Sequence, residues 1–337
     1  MTIPASMRHI AITFPGDTTG LALVRGPVPS IGPNDVLIEV AAAGVNGPDI
    51  AQRRGHYDPP ADASPILGLE VAGRIAALGN AVTGFELGDS VMALTNGGGY
   101  AEYAAAPAGQ ILPIPTGWAL TEAAALPETW FTVTQTLVMR SQLAAGMSVL
   151  IHGASGGIGG AAIQICRIIG AIPIAVVSSD DKAAYAKRLG AAATINYQTE
   201  DIIARALELT GGKGVDRVLD VVGGDMAAIN IAACAKGGHI VQVATLASGI
   251  TKISLGHIMA KQLTLSGSTL RPQLPQVKSA IASHIADHFL PALGEPAFVR
   301  PQITSFPLAD VAQAHQFLES RQHLGKIILT TDFGASL

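Results

Sequence analysis

Cysteine is almost missing from this 337-residue chain: there are two, Cys166 and Cys234. A structural metal site of the Cys-rich, four-ligand kind and a disulfide framework are therefore both excluded. Each cysteine falls in a stretch expected to form an apolar helix, and both read as small core residues. Charge is scarce as well, at 14% of residues with a formal net charge of −4. That balance gives no electrostatic footprint for nucleic acid or for an anionic membrane surface. No uninterrupted apolar run approaches the roughly 20 residues needed to span a bilayer. The first residues, MTIPASMRHIAITFPG, lack the charged-then-apolar order of a secretory leader, so the expected location is the cytoplasm.

What is present is a globular composition, 49% hydrophobic, in a chain longer than one core usually organises. Two domains are the natural expectation. Before residue 120 the texture is of short strands and turns, at Val36 to Val40, Glu70 to Leu78, 87–94 and Tyr100 to Ala105, punctuated by glycine and proline. From Thr121 apolar strands at 148–152, 172–177, 192–195, 215–222, 238–244 and 263–267 alternate with helices, the pattern of a doubly wound parallel sheet. After residue 270 come a Pro-rich connection, helices around 275–288 and 308–320, and a last strand from Lys326 to Thr330. These are too few elements for a third domain. The expected division is a first domain over 1–122, an α/β domain over 123–267, and a segment over 268–337 that returns to complete the first.

The stretch IHGASGGIGGAAIQICRIIG, 151–170, places a glycine loop between an apolar strand and an apolar helix expected over Ala161 to Ile169. Ser155, Gly156, Gly157, Ile158 and Gly159 match the end of a G-x-G-x-x-G dinucleotide fingerprint, with Ala154 in place of its first glycine. Unpaired N–H groups and the positive end of a helix dipole suit a pyrophosphate there. The plainer alternative is a strand-turn-helix whose glycines serve packing alone. The following strand ends in Val177-Ser178-Ser179 rather than in the acid that an NAD site uses for the ribose hydroxyls. Two hydroxyls and Lys182 suit a 2′-phosphate, which points to NADPH. Asp180 and Asp181 cut the other way, although Ser179-Asp180-Asp181 also has the form of a helix N-cap with a first acidic turn, in a helix ending near Gly190.

The order of motifs resembles the medium-chain dehydrogenase/reductase superfamily over essentially the whole chain, and within it the zinc-free quinone oxidoreductases of the zeta-crystallin type, especially their stress-inducible branch. The matching stretches are GVNGPDIAQRRGHYDPP (44–60), ILGLEVAGRIAALG (66–79), LGDSVMALTNGGGYAEY (87–103), LPETWFT (126–132), LIHGASGGIG (150–159), KRLGAAATINY (187–197), LDVVGG (219–224) and GKIIL (325–329). The resemblance implies a GroES-like β domain, a Rossmann domain and an active site in the cleft between them. Zinc-dependent members carry a cysteine where this chain has Asn46, and a histidine before a glutamate where it has Leu69-Glu70, so no metal is expected. By the same likeness Ser179, Lys182 and Tyr197 contact the 2′-phosphate. Thr129 and Val222 also fall among the implied cofactor contacts, while Ala244, Thr245, Leu246, Ser268, Thr269 and Leu270 line the nicotinamide side.

Hydride transfer to a quinone builds negative charge on an oxygen, which calls for a hydrogen-bond donor or proton source. The resemblance assigns that task to Tyr57, with Asn46 orienting the acceptor. Plainer roles exist for each: Tyr57 packs a turn, Asn46 caps the following helix, and Thr129 and Thr132 satisfy backbone groups at a helix start. His56 and His152 read as structural or solvated, and Gly97-Gly98-Gly99 as a cleft wall or a hairpin turn. The expected activity is NADPH-dependent reduction of a quinone. The alternatives are reduction of an enone or alkenal C=C bond, and an NADPH-binding sensor or structural protein with little turnover. Relatives pair the edge strands of their Rossmann sheets, so a homodimer is expected through LTLSGSTL, 263–270.

Overall fold

The computed structural model describes residues 3–61 and 63–337. Two compact units emerge: one comprises the chain up to Phe131 together with Arg271–Phe298 and Gln302–Leu337, the other Thr132–Leu270 with Val299–Pro301. In the first unit a seven-stranded sheet runs in the order Ile303–Pro307, Lys326–Thr330, Asp35–Val45, Glu70–Leu78, Ser90–Leu94, Ile111–Pro113, with Tyr103–Pro107 paired to Asp35–Val45. Its central strand, DVLIEVAAAGV, is buried along most of its length. Small residues at 41–44 let neighbours approach closely there; a Cβ on Gly334 would lie 2.0 Å from the Ala41 carbonyl oxygen. The core gathers Val36, Ile38, Val40, Val71, Ile75, Val91 and Ile327 around this strand.

Two elements of this unit lie beyond the sequence reading. Ser6–Ile12 and Leu21–Pro27 form an antiparallel ladder of their own. Their alternation is weak, since only Met7 and Ile10 among these residues are buried, and the apolar period of two that marks a half-buried strand is lost. Gly97-Gly98-Gly99 is not a hairpin turn. The strands on either side pair with different partners, Ser90–Leu94 with Glu70–Leu78 and Tyr103–Pro107 with Asp35–Val45, and the glycines instead run along residues 66–68.

The second unit is a six-stranded parallel sheet in the order Ala193–Asn196, Ile172–Val177, Ser148–Ile151, Val215–Asp220, Cys234–Gln242, Thr264–Gly267. In chain order this is 3-2-1-4-5-6, the doubly wound arrangement whose switch point falls beside the first strand. The helix after that strand begins at Gly157, four residues before the expected Ala161, and ends at Gly170 in the left-handed conformation. Close packing fixes the glycines of its first turn: a Cβ on Gly159 would lie 2.4 Å from Ala154 Cα. Cys166 is in this helix, but Cys234 is not helical as expected. The helix Met226–Ala233 stops one residue earlier and Cys234 opens the next strand, with φ −67° and ψ 146°. Both thiols are buried. Thr134–Arg140 form a π-helical segment, which no sequence pattern announced. Among the described residues no helix is long and apolar enough to cross a membrane.

Candidate active site

Sheet register in the first unit brings three distant residues together. Ile327 pairs with Val45 and Val71 with Ala43, so Lys326 and Glu70 arrive beside Asn46. The Lys326 ammonium donates to Glu70 Oε1 and to Asn46 Oδ1, each at 2.6 Å. Asn46 Nδ2 donates to the same Glu70 oxygen at 2.7 Å, and Glu70 Oε2 accepts from the Glu128 backbone N–H at 2.8 Å. All three side chains are buried, Glu70 completely. Gly44 makes the room, because a Cβ there would lie 1.9 Å from Glu70 Oε1. The Asn46 backbone N–H donates to Asp49 Oδ2 at 2.8 Å, the reciprocal half of a capping box at the helix Gly47–Arg53. Its side-chain amide is held instead by a cation on one side and a carboxylate on the other.

This donor set does not fit a metal. The Glu70 carboxylate already holds one cation, and a divalent ion at that oxygen would sit against the Lys326 ammonium. Among the described residues no group of three or more His, Cys, Asp or Glu side chains is arranged to hold a metal ion.

Around this network the ionisable groups are displaced from their ordinary behaviour. Burial pushes the Glu128 carboxyl up to about 8, the Glu70 and Asp49 carboxylates add to the effect, and Lys326 and Lys278 oppose it. Burial likewise carries Asp49 to about 6, against hydrogen bonds from the Gly68 and Asn46 N–H groups. The Tyr57 phenol is half-buried and raised by burial, with the Arg271 guanidinium pulling it down and Glu128 pushing it up. That guanidinium lies 5.6 Å from the Tyr57 ring centroid. Thr129 Oγ1 donates to the Leu126 carbonyl at 3.2 Å and is buried, a backbone-satisfying role. His56 is exposed. Sequence reasoning passed over Glu128, Arg271 and Lys326. The available signal was a charged side chain inside otherwise apolar motifs, LPETWFT, STLRP and GKIIL.

In the second unit the strand ends Val177 and Asn196 are register partners, which sets Ser178, Lys182 and Tyr197 at one corner. Lys182 Nζ donates to Ser178 Oγ at 3.0 Å, and the exposed Tyr197 donates its N–H to the Val177 carbonyl at 3.1 Å. Ser179 caps the helix Asp180–Leu189, its hydroxyl oxygen accepting from the Lys182 N–H at 3.3 Å. Asp180 accepts from Asn196 Nδ2 at 3.2 Å. The loop after Asp220 is tied down by that residue, whose Oδ1 accepts from the Val222 and Gly223 N–H groups at 2.6 and 3.0 Å. Behind it stand Asn230, donating to Asp220 Oδ2 at 2.9 Å, and the buried His152, 2.7 Å from Asn230 Oδ1. Burial holds that imidazole below its usual range, and its role is structural.

Backbone bonds from Leu246 to Val221 and from Ala247 to Val222 bring the 244–246 segment onto this loop. Ser268 donates its N–H to the Gln242 carbonyl at 3.0 Å and its hydroxyl to Gln135 Oε1 at 2.9 Å. Gln135, from the π-helical segment, is a further residue that sequence reasoning missed. Ser155 and Leu270 are nearly buried, whereas Thr245, Leu246 and Thr269 are exposed.

Two outcomes follow from the buried network. Lys326→Met strands the Glu70 carboxylate without its counter-charge and should lower stability by about 3–5 kcal/mol, measured by denaturant unfolding; Lys326→Met combined with Glu70→Gln should recover part of that loss. Glu128 is protonated in the folded state up to about pH 8 but ionised when unfolded above about 4.5. Unfolding then releases a proton, so stability should fall as pH rises through this window, at about 1.4 kcal/mol per pH unit. Between about pH 7 and 8, above the midpoint of about 6 at which Asp49 titrates, Glu128→Gln should flatten the fall in melting temperature.

Comparison with known proteins places this geometry. Residues 32–116 match the alcohol dehydrogenase GroES-like domain family and residues 157–283 the zinc-binding dehydrogenase family. The chain is 33% identical over 303 residues to a quinone oxidoreductase of Pseudomonas aeruginosa, with 88% of this chain and 91% of that protein covered. It also matches a phenolphthiocerol/phthiocerol polyketide synthase protein of Mycobacterium tuberculosis at 32% over 305 residues, 88% of this chain but only 14% of that protein's length. Among solved structures, the Escherichia coli quinone oxidoreductase complexed with NADPH superposes with a TM-score of 0.82 at 26% identity, covering 97% of this chain and 100% of that one. The CurK enoyl reductase superposes at 0.83 with 25% identity, covering 97% and 100%. The chain is a member of the quinone oxidoreductase family within the medium-chain dehydrogenase/reductase superfamily, built from a GroES-like unit and a Rossmann-like unit.

Proposed function

We propose that this protein is a zinc-independent, NADPH-dependent quinone oxidoreductase. The observation that carries the cofactor reading is the corner at the second strand of the parallel sheet, where Lys182 meets Ser178 and where Asp180 is engaged by Asn196. A 2′-phosphate would meet a cation and hydroxyls there, with one of the two repelling acids turned to an amide. Ser179 would serve through its place at the helix start, and Tyr197 would flank the adenosine. The pyrophosphate fits the glycine loop. Gly156 and Gly157 offer backbone without side chains, at the N-terminus of a helix of 13 residues beside the sheet's switch point. Ser155, Ile158 and Gly159 complete that turn, and Val222 with Ala244, Thr245, Leu246, Ser268, Thr269 and Leu270 would serve the nicotinamide end. Thr129 would add a contact through its backbone, since its hydroxyl is already used.

When bound, the reduced nicotinamide supplies a hydride. The chain's own residues then have to receive the negative charge that develops on the acceptor oxygen. Tyr57 would donate its phenol hydrogen bond to that oxygen. Asn46, its amide fixed by Lys326 and Glu70, retains one Nδ2 hydrogen for orienting the acceptor. The likeness to CurK enoyl reductase supports a second reading, reduction of an enone C=C bond by the same residues.

The test is oxidation of NADPH and, in parallel, of NADH by the purified protein with an ortho-quinone, a para-quinone and a simple enone. NADPH-selective turnover of a quinone is expected. Lys182→Ala should raise KM for NADPH about tenfold while leaving NADH little changed, a loss of about 1.4 kcal/mol. Equal use of both cofactors would overturn the 2′-phosphate reading, and turnover of the enone alone would favour the second one.

The 263–270 segment supports a homodimer. Thr264–Gly267 is an edge strand of its sheet, and Leu265, Met259 and Leu255 beside it are exposed at 40, 78 and 72%. Light scattering at micromolar concentration is expected to give twice the chain mass, and Leu265→Lys with Met259→Lys to give the single mass.

A further inference from the structure

Arg271 is 5% exposed, and the hydrogen-bond acceptors of its guanidinium are neutral groups. One terminal nitrogen donates to Gln52 Oε1 at 2.7 Å, the other to the Asn96 carbonyl at 3.3 Å. Gln52 is itself held, donating to the Pro65 carbonyl at 3.1 Å, and the buried Lys278 ammonium donates to the Arg271 carbonyl at 2.7 Å. The triglycine turn closes on the same group, since a Cβ on Gly97 would lie 3.1 Å from Arg271 Nη2. The Nε hydrogen is shut away from solvent with no hydrogen-bond partner among the described residues. A buried donor left unpaired is costly, and buried polar groups are seldom left so without a reason. The free face of the cation looks onto the Tyr57 ring, 5.6 Å from its centroid.

We propose that Arg271 is the positioning residue for Tyr57: it holds the ring and supplies the positive charge that stabilises the phenol oxygen as its proton leaves. The inference rests on the reading of Tyr57 as the donor to the substrate oxygen. In that step the Tyr57 O–H bond breaks and a new O–H bond forms on the substrate oxygen made anionic by hydride addition from the reduced nicotinamide. The electron pair stays on the Tyr57 oxygen until water returns a proton. The charged groups acting on the phenol are Arg271, which favours loss of the proton, and Glu128, which with burial disfavours it. Asp49, Glu128 and the phenol act in turn on Arg271. Arg271 alone thus opposes burial at this hydroxyl, and at this distance a cation can attract both the ring face and a developing phenolate.

The experiment is a carbon-13 NMR titration of the holoprotein with labelled tyrosine, where five tyrosines give few signals and Tyr57→Phe identifies the one of interest. Arg271→Gln is expected to move the Tyr57 titration upward by on the order of one pH unit. In turnover it should lower kcat roughly tenfold or more with the affinity for NADPH retained, and cost nothing further in a Tyr57→Phe background. Arg271→Lys, which keeps the charge but withdraws it from the ring, should show smaller changes in the same directions and serves if the glutamine variant does not fold. An unmoved Tyr57 titration in folded Arg271→Gln overturns the proposal, as does an undiminished loss of kcat from that variant in the Tyr57→Phe background. Wild-type titration and turnover in Arg271→Lys overturn the role of the guanidinium. Full turnover by Tyr57→Phe alone removes the reading of Tyr57 beneath it, and the proton transfer with it.

Discussion

A buried ammonium governs the first unit. Lys326 carries its charge into the sheet and meets one carboxylate and one amide oxygen there. Isolating such charges from water costs several kcal/mol per ion, and only good geometry with further hydrogen bonds offsets it. That requirement reaches outward through the residues already described. Gly44 has no side chain because Glu70 occupies the space, and Asn46 turns its amide in one sense because its two ends face opposite chemistry. Glu128 offers its backbone N–H to Glu70 and keeps its own carboxyl protonated because it is buried and, secondarily, because a second carboxylate stands close by. The pattern is a rigid polar cluster in which a buried cation, a carboxylate and an amide satisfy one another.

The second unit works by different means. Its distinctive surface is backbone, exposed where glycine removes the side chains and where a helix begins. Side chains mostly hold that backbone in place: Asp220 gathers the N–H groups of the following turn, and Asn230 and His152 brace it from the interior. The two acids that argued against a phosphate at the second strand stand in the first turn of a helix, where negative charge is favourable in its own right. One of them is also occupied by Asn196. Local helix energetics and ligand preference therefore read the same residues differently, and the hydrogen bond to Asn196 weighs between them.

Much of the architecture was legible because it rests on local signals. Apolar runs bounded by glycine mark the parallel strands, Ser179 and Gly190 mark a helix from cap to cap, and the lack of cysteine closes off metal sites built on sulfur. The failures share a cause. The ladder of Ser6–Ile12 with Leu21–Pro27 has little apolar alternation to detect, and the strand that begins at Cys234 continues a run of small apolar residues that look helical until the backbone turns extended. The π-helical segment differs from an α-helix by hydrogen-bond partner rather than by residue type.

By itself the sequence determined the class of fold, the position of the glycine loop and the hydroxyls and lysine at 178, 179 and 182, since these depend on composition, period and spacing along the chain; positions 46 and 57 were marked by the resemblance alone. Only the tertiary structure decided that Lys326 meets Asn46 across 280 residues, that Arg271 lies over Tyr57, and that Glu128 is held as a neutral acid. Those outcomes depend on strand register and on burial, and both are set by the whole packed unit: electrostatic energy varies with the distance between charges and with the water around them, neither of which is written in the order of residues.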